Sequence, residues 1–392
     1  MGTSNAGERR TVSVAFVIDK YPPFIGGSEY QARLLARLIA TRLGPSHVFT
    51  AQSDACSDAP ALILHRLGAS RGRPRHPLNF AAAFAELLTR GGRYAIVHGY
   101  ALSGLTCGAV LGAALRGRPA LVKICAAGPE GDVAKVRRHA LGRWLWPMIR
   151  RSCAFVVPSP GVVSELLTHG VPPRAITVIP NALRLGAPEP PTPASKASAR
   201  AALELPDRAT VLFVGRLSPE KGPDLLMRAW ELIAPACDAT LVVVGAGPDG
   251  SRLAHWARRS VAADRIHVVG ARPDVDPFYR AADVLVVPSQ TETFSNVMAE
   301  AMAHGLAVVT TPVGLAGHWL HDGRNGVVVR ADDEREMAAA VVRLVRHPAA
   351  GEGLGRAARE DALAAFSASA IVERYLELYG RLMAGASRPE AA

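Results

Sequence analysis

A chain of 392 residues exceeds what one hydrophobic core ordinarily supports, and its 49% apolar, 20% charged composition is that of a globular protein rather than a disordered or collagenous one. No apolar run approaches the roughly 20 residues that cross a bilayer, the opening residues carry no apolar leader, and five scattered cysteines without a Cys-x-x-Cys pair argue against zinc and suit a reducing cytosol. Charge is uneven: residues 1–200 hold 25 Lys and Arg against 10 Asp and Glu, residues 201–392 hold 20 against 24, so an anionic partner would meet the first half.

Short apolar β-rich runs alternate with helical stretches along the whole chain. VSVAFVI (12–18) opens the series, followed by YAIVHGY (94–100), ALVKIC (120–125) and CAFVVPS (153–159). TVLFVG (210–215), TLVVVG (240–245), RIHVVG (265–270), DVLVVPS (283–289) and AVVTTP (307–312) continue it. Unbroken apolar runs separated by helices describe parallel strands covered on both faces, so the expected fold is α/β, two facing Rossmann-like doubly wound domains. The expected boundaries are residues 1–184, a Pro/Ala/Ser-rich linker at 185–199, a second domain at 200–365, a helix at 366–384 and a tail at 385–392. That helix carries Ile371, Val372, Tyr375, Leu378, Tyr379 and Leu382 on one face, a stripe expected to cross back onto the first domain. Ligands of such sheets sit beyond the carboxyl ends of the strands, in the loops that follow.

Two of those loops carry chemistry. VGRLSPEKG (214–222) sets Arg216 and Lys221 in a loop opening a helix near Pro223. Fixed cations, N–H groups and the helix dipole together favour a diphosphate there, although two surface bases would read the same way. SQTETFSNVMAEAMAHG (289–305) places Glu292 in a loop, Phe294, Ser295, Asn296 and Val297 where a helix begins, and Glu300 on that helix. A carboxylate at Glu300 can accept hydrogen bonds from the vicinal hydroxyls of a ribose; an ordinary exposed helix acid is the competing reading. GAGPDG (245–250) spells G-x-G-x-x-G, but Pro248 interrupts it and Asp264 precedes a strand instead of ending one, so it is discounted as a dinucleotide fingerprint.

Together, an early strand ending VFT, the Gly26-Gly27 loop, IPN at 179–181, GRLSPEKG and the E-x7-E pair resemble the retaining glycosyltransferases of family 4, the glycogen-synthase and mannosyltransferase-like group with the GT-B fold. The resemblance implies a hexosyltransferase that moves sugar from a UDP- or GDP-sugar to a hydroxyl of a saccharide, lipid-linked saccharide or small molecule, with no metal and no further cofactor. It implies diphosphate contacts from Arg216 and Lys221, a ribose contact from Glu300 and a donor-hexose contact from Glu292. Backbone N–H groups from Phe294 to Val297 would meet sugar and phosphate, and Gly26 and Gly27 would approach the diphosphate.

Where many members of that family place a histidine, Cys125 and Ala126 stand instead. His98, at the end of YAIVHGY, is the substitute catalytic candidate if it faces the cleft, although it could equally satisfy backbone carbonyls; Lys123, Glu130 and Asp132, in or around the loop after ALVKIC, are acceptor-side candidates. KVRRHALGRWLWPMIRR (135–151) interleaves Trp144, Leu145, Trp146 and Met148 with Lys and Arg, which suits an anionic membrane surface as well as a buried helix with snorkelling arginines. The expected location is the cytoplasm, with a peripheral position on the inner membrane face as its variant. A sugar-nucleotide epimerase of the same fold and a non-enzymatic anionic-polymer-binding protein are the alternatives, and nothing in the chain spells a nucleic-acid module.

Overall fold

Strands rich in Val, Leu and Ile, the central ones buried on both faces, form two parallel sheets in the computed structural model, which describes residues 12–21, 26–52, 59–68, 75–184, 186 and 188–386. The chain divides into unit 1, residues 1–182 with 371–392, and unit 2, residues 183–370.

Unit 1 runs β1 (Val14–Val17), α1 (Gly27–Leu43), β2 (Ser46–Thr50), β3 (Leu62–Arg66), α2 (Arg75–Arg90), β4 (Ile96–Tyr100), α3 (Gly104–Leu115) and β5 (Ala120–Lys123). It continues through α4 (Asp132–Arg138), α5 (Ala140–Ser152), β6 (Ala154–Val157), α6 (Val163–Thr168) and β7 (Ile176–Val178). All seven strands are parallel, in the order β3-β2-β1-β4-β5-β6-β7, so the order reverses between β1 and β4.

Unit 2 runs α7 (Pro193–Ala202), β8 (Ala209–Val214), α8 (Pro223–Ile233), β9 (Ala239–Val244), α9 (Gly250–Arg259), β10 (Ile266–Gly270), α10 (Asp276–Ala281) and β11 (Val284–Val287). After these come α11 (Asn296–Ala303), β12 (Ala307–Thr310), β13 (Val327–Val328), α12 (Glu334–Arg346) and α13 (Pro348–Phe366), with α14 (Ala368–Ala386) carrying the chain from unit 2 to unit 1. The six strands are again parallel, ordered β10-β9-β8-β11-β12-β13, with the reversal between β8 and β11.

All nine expected runs contain strands, the early strand ending VFT is β2, and β3, β7 and β13 are additions. The expected linker is corrected over its second half. Residues 193–199 belong to α7, because Pro193 tolerates the first helical position and Thr192 with Ser195 forms a capping box. Arg200 and Lys196 then tie α7 to Asp283 within unit 2.

The C-terminal stripe does what its periodicity requires. Ile371, Val372, Tyr375, Leu378 and Tyr379 are buried in one cluster with Phe16, Leu35, Ile39 and Tyr100 of unit 1. Tyr375 is fully buried, yet its hydroxyl has no hydrogen-bond partner among the described residues. Tyr375→Ala should therefore cost about 3–5 kcal/mol, whereas Tyr375→Phe should be neutral or slightly stabilising, since it removes only an unsatisfied hydroxyl. Urea unfolding of the full chain measures both.

Candidate active site

The two chemistry-bearing loops of unit 2 leave β8 and β11, the neighbouring strands at which the order reverses, so backbone topology alone puts them side by side. After β8 the chain makes a single 3-10 turn, Pro219–Lys221, and enters α8 through Gly222 at φ 69°. A side chain at Gly222 would strike the carbonyl of Pro288, the residue next to the end of β11, so only glycine permits this approach. The Gln290 N–H donates to the Glu220 carbonyl at 2.9 Å and stitches the loops together. The GAGPDG glycines serve the same packing: a Cβ at Gly245 would meet the Gly215 carbonyl.

Lys221 Nζ donates to Glu292 Oε1 at 2.8 Å, and Ser289 Oγ donates to the same oxygen at 3.1 Å. The expected diphosphate cation and the expected hexose acid are thus in direct contact. Arg216 is exposed on the same loop, with no ion pair among the described residues.

Phe294 is buried against Trp319 and Phe366, edge to face, which anchors the segment before α11. Ser295 caps α11 from a left-handed conformation, φ 73°, a strained state that is held where surrounding structure enforces it. Asn296 and Val297 form the first turn of α11, where N–H groups lack intrahelical acceptors and point outward along the helix axis.

Glu300 lies one turn further and is buried. Its Oε2 accepts from the Tyr279 hydroxyl at 2.9 Å, and Arg184 Nε stands 3.8 Å from Oε1, which accepts no hydrogen bond among the described residues. Burial pushes the carboxyl up to about 7, against the opposing charge of Arg184 and the Tyr279 hydrogen bond. His304 braces the helix beneath, bonding the Glu300 carbonyl at 2.8 Å and Asp276 Oδ1 at 2.7 Å. A buried carboxylate oxygen without a donor is suited to a ligand hydroxyl. Tyr279, Arg184, Asp276 and His304 escaped the sequence reading, since only tertiary packing gathers them around Glu300.

The unit 1 candidates divide. Gly26 and Gly27 start α1; a Cβ at Gly26 would meet the Glu29 carboxylate, which folds over that helix end. His98 is corrected as a catalytic candidate. It lies inside β4, fully buried, with Nδ1 2.7 Å from the Tyr379 hydroxyl of α14, and burial holds its pKa well below the usual histidine range. Lys123 is corrected as a loop residue. It closes β5 inside the core, 5.7 Å from the centre of the Tyr375 ring, and burial lowers its pKa to about 8. Glu130 is exposed and paired with Arg138 at 2.9 Å. Asp132 is buried at the start of α4, its Oδ2 accepting from the Cys125 N–H at 2.7 Å, and burial raises its pKa to about 6.

Two doubly wound parallel sheets, the second with a cationic loop and a buried acid at its strand-order reversal, define the GT-B class of glycosyltransferase folds. The chain carries two glycosyltransferase domains, matching the model "Glycosyl transferase 4-like domain" over residues 26–182 and "Glycosyl transferases group 1" over residues 208–347. A D-inositol 3-phosphate glycosyltransferase from Streptosporangium roseum is 37% identical over 243 residues, 58% of this chain and 55% of the relative. The chain thus spans about half the length of the curated relatives it matches. Among solved structures, Anabaena HepE in complex with UDP superposes with a TM-score of 0.77 at 18% identity, covering 94% of this chain and all of the other. Sucrose-phosphate synthase from Thermosynechococcus elongatus gives 0.75 at 25% identity, covering 95% and 100%.

The raised Glu300 pKa has a consequence for stability. The folded chain holds that proton more tightly than the unfolded one, so Glu300's contribution is full below the ordinary carboxylate range and is lost as pH rises through about 7. Glu300→Gln should therefore gain stability over the parent at about pH 8, and the gap should close near pH 4. Chemical denaturation at the two pH values measures the difference.

Proposed function

We propose that the protein transfers a hexosyl group from a UDP- or GDP-sugar to an acceptor hydroxyl with retention of configuration and without a metal. The observation that carries this reading is the Lys221–Glu292 ion pair beside the first turn of α11. Positive charge for a diphosphate comes from Arg216, Lys221 and the N-terminal ends of α8 and α11, the role a divalent ion fills elsewhere. When a donor arrives, its phosphates compete with Glu292 for Lys221, and the freed carboxylate can accept from the donor hexose. Glu300 Oε1 takes a ribose hydroxyl. The bond from the anomeric carbon to the diphosphate oxygen breaks, the acceptor oxygen attacks from the same face, and its proton passes to the departing phosphate. The glycosyltransferase relative, and the UDP held by HepE, support this choice of donor class.

Lys221→Ala and Glu300→Ala should each lower donor use about 100-fold. A panel of UDP-, GDP- and ADP-sugars followed by nucleotide release measures this; full activity in both variants overturns the site assignment. Epimer formation from donor alone would instead favour the epimerase reading.

A peripheral membrane position belongs to the same proposal. On α5, Trp146 and Ile149 are buried while Leu141, Trp144 and Met148 are 52%, 76% and 54% exposed, an apolar stripe flanked by Arg143, Arg150 and Arg151. No described helix is long and apolar enough to cross a membrane. Phosphatidylglycerol vesicles should carry the protein upward in a flotation gradient, and Trp144→Glu should release it; no association at low salt removes this part.

A further inference from the structure

The sheet of unit 1 has its own reversal of strand order, between β1 and β4, and the loops leaving those strands also meet: Ser103 Oγ donates to Asp19 Oδ1 at 2.9 Å. Beside this contact, lined by unit 1 residues alone, opens a cavity of about 490 Å³, a size that suits a small molecule. Its walls are mainly apolar, with Phe80 from α2, Val136 from α4 and Leu145 and Ile149 from α5, and they also carry His76, Lys135, Arg138 and His139. Asp19, Ser103 and Asp132 line the sheet end. Asp132 is 6% exposed, its Oδ2 is fixed by backbone N–H groups, and its Oδ1 has no hydrogen-bond partner among the described residues.

Carboxylates at the inner end accept from hydroxyls. The apolar stretch of wall formed by Phe80, Val136, Leu145 and Ile149 offers a polyol no partners, so a ligand that is polar all round would lose hydrogen bonds on entry. The chemistry that satisfies both ends is a hydroxyl-bearing head on an apolar body. We propose that this cavity binds such an amphiphilic alcohol, its hydroxyls toward Asp19, Ser103 and Asp132 and its apolar part against Phe80, Leu145 and Ile149. Resting on the transferase reading above, that alcohol is the acceptor.

Calorimetric titration of the full chain with octyl β-glucoside, below its micelle-forming concentration, and with methyl β-glucoside tests this. The two share a head, and only the first has an apolar body. Octyl glucoside should bind at least ~10-fold tighter, with a negative heat-capacity change. Leu145→Trp, which fills the cavity, and Leu141→Asp, at an exposed position on its lining, should each shrink the preference below ~3-fold. Equal binding of the two glucosides to the parent chain, or an unchanged preference in both variants, overturns the proposal. UDP is titrated in parallel. Failure of UDP to bind while octyl glucoside binds would sink the donor reading and leave the cavity standing. Displacement of octyl glucoside by phosphatidylglycerol vesicles marks a bilayer source, and displacement by dissolved 2-naphthol a soluble one.

Discussion

Parallel strands oblige every following loop to emerge at one edge of the sheet, and most of what this protein offers to a ligand follows from that constraint. In unit 2 the chain travels outward through β9 and β10 and returns at β11, so the exits of β8 and β11 are adjacent although the intervening sequence is long. Gly222 lets them close to carbonyl contact, and the Lys221–Glu292 pair forms across the seam. Unit 1 repeats the arrangement at β1 and β4 with different chemistry: an acid and a hydroxyl, joined by Asp132 from the start of α4 after β5, beside a mainly apolar chamber. One topological device therefore yields a charged candidate site in one unit and the proposed amphiphilic one in the other.

On the proposed reading, the charges in unit 2 are exchanged when a donor binds. An ion pair between half-buried partners is worth little to stability, and in that reading it holds Glu292 and Lys221 in one geometry until donor phosphates compete for Lys221. Glu300 is the opposite case: its burial is costly while ionised and is offset only in part by Arg184 and Tyr279. Strain at Ser295 belongs to the same pattern, since the left-handed cap sets the direction in which α11 presents its first turn.

The fold was legible because its central strands are continuous apolar runs and because the α14 stripe has an unmistakable helical period. β3 was missed because LILHR ends in charge, and β7 and β13 because three and two residues leave no period to detect. α7 hid inside a proline-rich stretch whose prolines precede the helix or occupy its first position. In the site, Arg216, Lys221, Glu292 and Glu300 could be picked out by their place after strands, but Tyr279 and Arg184 come together only through packing. His98 stayed open between a catalytic and a structural role because a strand end cannot be placed to the residue from sequence: Gly99 and Tyr100 continue β4 beyond it, and burial decides for the structural role.

The route of α14 bears on how the protein is made. Unit 1 takes all seven strands of its sheet from the first 182 residues, yet the face carrying Phe16, Leu35 and Ile39 is closed by side chains from Ile371 onward. On the ribosome that face stays uncovered through the whole synthesis of unit 2. The first unit to be translated is thus the last to be finished, and any chain released before residue 371 would present an unsealed apolar surface to chaperones and proteases.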